Sequence, residues 1–326
     1  MIEVVSSSSP AFSLAGSVVT IGAFDGFHRG HLRLIEEARA DAMQRSLPLV
    51  VVTFDQHPLR ILAPERAPRL LMGPLMRRTL LESLGVDTLY LLHFDRERAS
   101  QSPTDFVEQV LVATLGAAAV YVGENFTYGA KGAGNVATLV EHGKRRGFAV
   151  RHLPLLTVAQ ANVTTSLDPE MPVSATLIRA LIQEGHLEEA NALLGHPFGL
   201  EGGVVPGDRR GRTLGFPTAN VAVLDEYVKP PDGVYAGFTL LDGGRYPLAI
   251  SLGTRPMYYP GGGARLLEVF IIGYTGDLYG RELLVYFLAK LREQQVFDSE
   301  EMFRHQMTLD VDAARALSER WPSQEQ

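Results

Sequence analysis

The chain has 326 residues, 46% of them hydrophobic and 21% charged, with a formal net charge of −7 and no cysteine. That length suits two domains and that composition is ordinary for a globular core, while the lack of cysteine excludes disulfides, thiolate metal sites and a cysteine nucleophile. The acidic balance gives no overall basic field for nucleic acid, and no apolar stretch reaches the ~18 residues of a membrane span. Residues Met1 to Gly16 lack the charged start and long apolar core of a signal peptide. The expectation is a cytoplasmic protein with neither a membrane nor a nucleic-acid partner. Nothing in the sequence indicates an oligomer.

The first half alternates strand-like and helix-like segments. After a short serine run, Ser6 to Ser9, read as frayed, strands are predicted at 18–23, 48–54, 88–94, 118–123 and 148–153. Helical patterns fall between them, near 31–46, 75–85, 103–114 and 135–146. The segment Pro48 to Phe54 is a continuous apolar run, as expected of a strand covered on both faces. Such alternation predicts a parallel, doubly wound sheet, in which ligands bind beyond the carboxyl ends of the strands. Three segments lie at such ends: Gly22-Ala23-Phe24-Asp25-Gly26-Phe27-His28-Arg29-Gly30-His31, Phe54-Asp55, and Gly123-Glu124-Asn125-Phe126.

The first of these carries the most information. It follows Val18-Val19-Thr20-Ile21 and leads into a run where Ile35, Ala38, Ala42 and Met43 recur at helical spacing. Two histidines, His28 and His31, thus sit where a strand becomes a helix. Glycines let the backbone turn and approach a ligand closely. A helix N-terminus offers free N–H groups and partial positive charge, a ready place for phosphate, and the imidazoles add donors. The plainer alternative is a tight turn with solvated histidines.

The texture changes near residue 185. A short helical run, His186 to Leu194, ends at Gly195 and Pro197, and glycine-punctuated strands follow. Val234 to Leu241 and Tyr246 to Leu252 flank Asp242-Gly243-Gly244, a hairpin signal. Leu266 to Tyr274 and Glu282 to Leu291 flank a second turn with Gly276 and Gly280. This predicts a small antiparallel barrel, closed by a helix from Asp298 with Asp298 and Glu301 as N-cap and reciprocal partner. Domains are therefore expected at 1–185 and 186–326. Within the second, Gly207 to Leu214 reads as a glycine- and arginine-rich loop able to lie over phosphates. Its Arg209, Arg210 and Arg212 either steer a nucleotide or are simply solvated. Pro217 fixes the backbone ahead of Thr218 and Asn220, which share a face if extended. A hydroxyl and an amide of that kind suit a nucleotide-borne Mg²⁺, or else a polar surface strand. In Leu266-Leu267-Glu268-Val269-Phe270-Ile271-Ile272, alternation puts Glu268 beside Leu266, Phe270 and Ile272, either at a cleft or on an exposed face. Partial burial would raise the pKa of such an acid and make it a better base.

Together these segments resemble the bifunctional riboflavin kinase/FMN adenylyltransferases. The amino-terminal matches are Gly22 to His31, Thr53-Phe54-Asp55-Gln56-His57-Pro58, Val122 to Phe126, and Val173-Ser174-Ala175-Thr176-Leu177-Ile178-Arg179. The carboxy-terminal ones are Gly211 to Asn220, Asp232 to Gly237, Ser251-Leu252-Gly253-Thr254, Leu267-Glu268-Val269, and Asp277-Leu278-Tyr279-Gly280. The resemblance covers nearly the whole chain. It implies a Rossmann-like nucleotidyltransferase domain followed by a six-stranded antiparallel β-barrel riboflavin kinase domain with a terminal helix. It implies two reactions in series: ATP and riboflavin give FMN and ADP at the second module, then FMN and a second ATP give FAD and pyrophosphate at the first. By the resemblance, Glu268, His28 and His31 are catalytic, and Gly22, Phe24, Asp25, Gly30, Ser174, Thr176, Arg179, Gly207, Arg212, Thr218 and Asn220 contact ATP. Thr218 and Asn220 also hold its Mg²⁺. Phe54, Asp55, Pro58 and Asn125 border the flavin. No prosthetic group is expected, since flavins are substrate and product.

The chain departs from the family pattern at several positions. Ala175 stands where a second serine is usual, with Leu177 beside Thr176. One hydroxyl donor to a charged group, worth roughly 1.5–3 kcal/mol, is missing, which implies a slower or weaker-binding adenylyltransferase. Gln56 replaces a usual proline, Arg255 and Met257 a usual Asn and Thr, and Phe270 a usual histidine. The alternative readings are a riboflavin kinase whose first domain only binds nucleotide or flavin, and a flavin-binding protein without turnover.

Overall fold

The computed structural model describes residues 2–8, 12–206, 215–253 and 266–321. It forms two compact units: Met1–Pro68 with Arg77–Asn162 and Leu167–Ser174, and Arg69–Met76 with Val163–Ser166 and Ala175–Gln326. The second unit thus gathers Ala175 onward, ahead of the change in sequence texture near 185, together with two short earlier segments.

In the first unit the strands are β1 (Glu3–Ser6), β2 (Ser17–Ile21), β3 (Leu49–Phe54), β4 (Thr88–Leu92), β5 (Ala117–Gly123), a small β6–β7 pair (Thr127–Tyr128, Gly134–Asn135) and β8 (Ala149–Leu153). The main sheet runs β1-β4-β3-β2-β5-β8 with each neighbouring pair parallel. All of β2 and the first five residues of β3 are buried, as both-face coverage requires. From β2 the chain builds outward through β3 and β4, then returns to place β5 on the other side of β2. The direction of winding therefore reverses between β2 and β5, the place where doubly wound sheets open a crevice.

The helices of this part are α1 (Arg29–Arg45), α2 (Leu59–Leu62), α3 (Pro74–Ser83), α4 (Arg96–Ser100), α5 (Pro103–Phe106) and α6 (Val136–Arg146). After α5 the chain continues in wider π turns over Val107–Thr114, so the region expected as one helix changes its winding part-way. On α1 the buried face is Leu34, Ile35, Ala38 and Ala42. Met43, expected on that face, is 71% exposed. One residue past Ala42 is about 100° further round the helix, which carries it out of the stripe. The sequence pattern also missed β1, which pairs Glu3 with Thr88 through Ser6 with Leu91. Ser6 pairs with Leu91 on β4 and the Ser7 N–H donates to the Leu91 carbonyl at 2.8 Å, so the start of the run expected to fray is held against the sheet.

In the second unit, α7 (Ala175–Glu184) and α8 (Leu187–Leu194) precede a closed barrel of β9 (Phe198–Val205), β10 (Thr218–Ala222), β11 (Gly233–Leu241), β12 (Gly244–Gly253), β13 (Leu266–Ile271) and β14 (Glu282–Arg292), ordered β10-β13-β12-β11-β14-β9. All six pairings are antiparallel. The β11–β12 turn puts Asp242 and Gly243 at φ 50° and 78°, the left-handed pair that a two-residue hairpin needs. Leu267, Val269 and Ile271 point inward while Leu266, Glu268 and Phe270 face out and are half-buried. The terminal helix α9 (Glu300–Arg320) covers part of the outer face: its Val311 and Ala314 pack with Ala236, Ala249, Ile272, Phe270 and Phe216. Its N-cap is Ser299, whose hydroxyl accepts the Met302 N–H at 3.2 Å. The expected cap, Asp298, is one residue too early to reach the third amide of the helix.

The tie between α9 and the barrel is charged. Arg292 of β14 meets Asp310 with Nε at 3.0 and 3.1 Å and Nη2 at 2.7 Å, and Asp310 is only 3% exposed. Removing one partner strands a buried charge, so Arg292→Ala is expected to cost about 3–5 kcal/mol in denaturant unfolding. The paired Arg292→Met/Asp310→Leu variant should recover most of that loss.

Candidate active sites

At the carboxyl end of β2 the chain makes an unusual turn. Phe24, Gly26 and Phe27 have φ of 44°, 80° and 46°. Glycine tolerates that region, but each phenylalanine there costs roughly 1–2 kcal/mol. Both rings are buried, 2% and 0% exposed, and stack at 5.3 Å; a buried phenylalanine returns about 1.5–3 kcal/mol. Burial of the aromatics therefore holds the turn in its strained form. The turn delivers His28 as the N-cap of α1, and the Leu32 N–H donates to the His28 carbonyl at 3.0 Å.

His31, one turn along α1, stacks on His28 at 3.7 Å between ring centres and meets Phe24 edge-on at 5.0 Å. Burial, and then the neighbouring His28 imidazole, push the His31 pKa well below the ordinary histidine value. Its Nδ1 is buried with no hydrogen-bond partner among the described residues. Gly30 gives this pair its room: a Cβ there would lie 3.3 Å from both Cε1 and Nδ1 of His28. At Gly22 a Cβ would come within 3.0 Å of the Phe24 ring. Asp25 is buried in the same turn. Imidazole nitrogens and the first amides of α1 thus gather beside the β2–β5 switch, a setting for an anion.

The other residues expected to bind substrate in the adenylyltransferase half are placed as follows. Phe54, at the end of β3, meets Phe94 edge-on at 5.2 Å. Asp55 does not point free: its Oδ2 lies 2.6 Å from His93 Nδ1, and its Oδ1 accepts the Phe94 N–H at 3.1 Å. Pro58 caps α2, whose Leu62 N–H donates to its carbonyl. Asn125, past the end of β5, is exposed, and its Oδ1 would lie 3.3 Å from a Cβ at Gly123. Ser174 closes the first unit. Thr176 and Arg179 belong to the second, on α7, where Arg179 Nε donates to the Arg69 carbonyl at 2.8 Å. The sequence pattern did not single out His93 or Phe94; their one signal is their place at the carboxyl end of β4.

The second constellation is set by strand register. On β10 and β13, Asn220 pairs with Glu268 and Thr218 with Phe270; on β12, Ser251 pairs with Glu268 from the other side. Directly opposed residues share a face, with Cβ atoms about 4.5–5.5 Å apart. A row Asn220–Glu268–Ser251 therefore crosses three strands, and Thr218 follows Asn220 on its face. Gln294 Nε2 reaches the Ser251 hydroxyl at 3.4 Å and the Leu252 carbonyl at 3.1 Å. Phe216 packs edge-on against Phe270 at 5.5 Å, closing one side. Gly207, Arg209, Arg210 and Arg212, and the departures at Arg255 and Met257, lie outside the described residues.

A family model described as FAD synthetase matches residues 12–167, and one described as riboflavin kinase matches residues 194–318. The bifunctional riboflavin kinase/FMN adenylyltransferase of Escherichia coli (strain K12) is 35% identical over 302 residues, 92% of each chain. The enzyme of the same name from Pseudomonas fluorescens is 37% identical over 303 residues, 93% of each. The chain belongs to this family. It is an enzyme with both activities, making FMN from riboflavin and ATP and FAD from FMN and ATP. A solved structure described as a macrolide-efflux protein from Streptococcus pneumoniae shares the fold, with a TM-score of 0.77, 31% identity, and cover of 98% of this chain and 100% of that one. Among the described residues of the present chain, no helix is long and apolar enough to cross a membrane.

Two outcomes follow from the β2–α1 geometry. Gly30→Ala should hold or raise thermal stability, because alanine is worth about 0.5–1 kcal/mol over glycine inside a helix. It should also slow FAD formation from FMN several-fold, because the added methyl displaces the His28 ring. Melting curves and a timed FMN-to-FAD assay on one preparation check both halves. Separately, the folded His31 resists a proton that the unfolded chain binds near pH 6.5. Stability should therefore fall as pH drops from about 6.5 toward the depressed folded value, and urea titrations of His31→Gln should show a shallower slope across that window.

Proposed function

We propose that the chain divides at 185/186 into an adenylyltransferase module and a kinase module, each with its chemistry on the residues above. The observation that carries the kinase assignment is the register of Asn220 against Glu268. A carboxylate base, an amide and, two residues along, a hydroxyl are held on adjacent barrel strands. Glu268 takes the proton of the ribityl 5′-hydroxyl as that oxygen attacks the γ-phosphorus, the bond to the β-phosphate oxygen breaks, and ADP leaves. The Thr218 hydroxyl and Asn220 amide oxygen are hard donors and fit Mg²⁺ that arrives with ATP and brings phosphate oxygens of its own. Bound there, Mg²⁺ would supply charge neutralisation on the phosphates.

In the first module the FMN phosphate attacks the α-phosphorus of ATP and pyrophosphate leaves. His28, His31 and the first amides of α1 stabilise the charge on the transferring and leaving groups, as preorganised donors do where charge develops. Phe54 and Pro58 line the flavin side, with Asn125 across the switch point. Ser174, Thr176 and Arg179 grip ATP, one hydroxyl short at Ala175. The requirement for ATP at both steps supports work in the cytoplasm.

The modules are tested apart. Supplied with riboflavin, Mg²⁺ and ATP, Glu268→Gln should lose about 10²–10⁴-fold in FMN formation while still converting added FMN to FAD. His28→Ala and His31→Ala should show the opposite pattern, accumulating FMN. Chromatography of the three flavins reads each case, and wild-type FMN formation by Glu268→Gln would overturn the kinase assignment.

A further inference from the structure

We propose that His93 is a positioning residue of the adenylyltransferase site, clamping the loop after β3 through Asp55, so that Asp55 serves as a strut and not as a flavin ligand. The inference rests on the reading of Phe54 to Pro58 as the flavin-side wall.

The loops after β3 and β4 are stitched residue by residue. His93 Nδ1 lies 2.6 Å from Asp55 Oδ2, and the Phe94 N–H donates to Asp55 Oδ1 at 3.1 Å. Gln56 Nε2 donates to the Phe94 carbonyl at 2.9 Å, and the Phe54 and Phe94 rings meet edge-on. Three consecutive residues of the flavin-side loop are thus each tied to His93 or Phe94. Both carboxylate oxygens of Asp55 are engaged within the protein. Gln56 adds a side-chain donor to the same stitch.

The clamp has its own anchor. The His93 N–H donates to Ser7 Oγ at 2.8 Å, just past β1. The charged groups acting on its ring are Asp55 from the β3 loop, Asp95 on its own loop with Oδ2 3.8 Å from Nε2, and Arg98 of α4. The hydrogen bond to Asp55, and then the charge of Asp55, hold the imidazole pKa above the ordinary histidine value. An exposed imidazolium therefore grips Asp55 fully below that ordinary value, and the charged grip is lost as pH rises through the raised one.

The test measures the KM for FMN in the FMN-to-FAD reaction of the full chain, with kinase turnover of the same preparation reporting that the protein is folded. His93→Ala should raise the KM for FMN roughly tenfold, the scale of one charge-assisted hydrogen bond, and leave the KM for ATP in place. His93→Gln, which keeps a neutral donor, should recover most of the loss but abolish the rise in that KM that the wild type shows toward alkaline pH. Asp55→Asn should lose the same pH dependence. If His93→Ala or Asp55→Asn keeps the wild-type KM and its pH profile, the inference is wrong. Phe54→Ala separates the underlying reading. A raised KM for FMN there with unchanged His93 variants defeats the clamp alone, whereas an unchanged KM in Phe54→Ala defeats the flavin-side wall and the clamp with it.

Discussion

Strand register is the constraint on which both sites depend. Side chains along a strand alternate faces, so a slip of one residue between β10 and β13 would turn Glu268 into the barrel and bring Leu267 or Val269 out to Asn220. The apolar interior prevents this. Leu267, Val269 and Ile271 are buried, and an ionised carboxylate among them would cost far more than any contact it gained. The hydrophobic pattern of β13 therefore positions Glu268 at a distance, by leaving only one register in which the acid faces outward. The same logic fixes Ser251 on the other flank of Glu268.

In the parallel sheet, register acts together with strain. The pairing of Thr20 with Val51 and Tyr121 sets the level at which β2 ends, and the left-handed turn at Phe24 to Phe27 sets the angle at which α1 begins. Such a conformation persists only when its surroundings over-determine it. Here the two buried rings do so, and His31 rests edge-on against one of them. Phe24, expected to contact ATP, is 2% exposed and its ring is stacked on that of Phe27. The histidines gain a rigid mount, with the pair stacked at 3.7 Å.

Much of this could be read from the chain because it depends on near neighbours. The strand–glycine–histidine–helix passage, the outward face of Glu268 and the shared face of Thr218 and Asn220 are all local alternation or local turn chemistry. What escaped reading depends on pairing between distant segments. That Asn220 opposes Glu268 follows from a partnership across 48 residues, and that Asp55 is held by His93 from one across 38. Strand β1 is too short and too polar to announce itself and forms because β4 offers it an edge. The errors at Met43 and Asp298 are one-residue errors, which helical geometry turns into a different face or a missed cap.

The two sites differ in a way their reactions explain. The 5′-hydroxyl of riboflavin holds its proton at neutral pH and must lose it as the new bond forms, and on the proposed assignment a carboxylate on a barrel strand takes it. The phosphate of FMN is already largely ionised there, as phosphate monoesters with a second pKa near 6 are. Its attack on ATP needs no proton removed, and the difficulty is repulsion between anions. On the proposed assignment, the first module meets that difficulty with donors alone: stacked imidazoles, a helix N-terminus and glycines that let phosphate come close. This also bears on why the acid of the flavin-side loop is drawn aside by His93. A free carboxylate beside that channel would add to the charge that the histidines and helix amides must offset, while one bound to an imidazole and an amide fixes the wall and withdraws its field from the substrate.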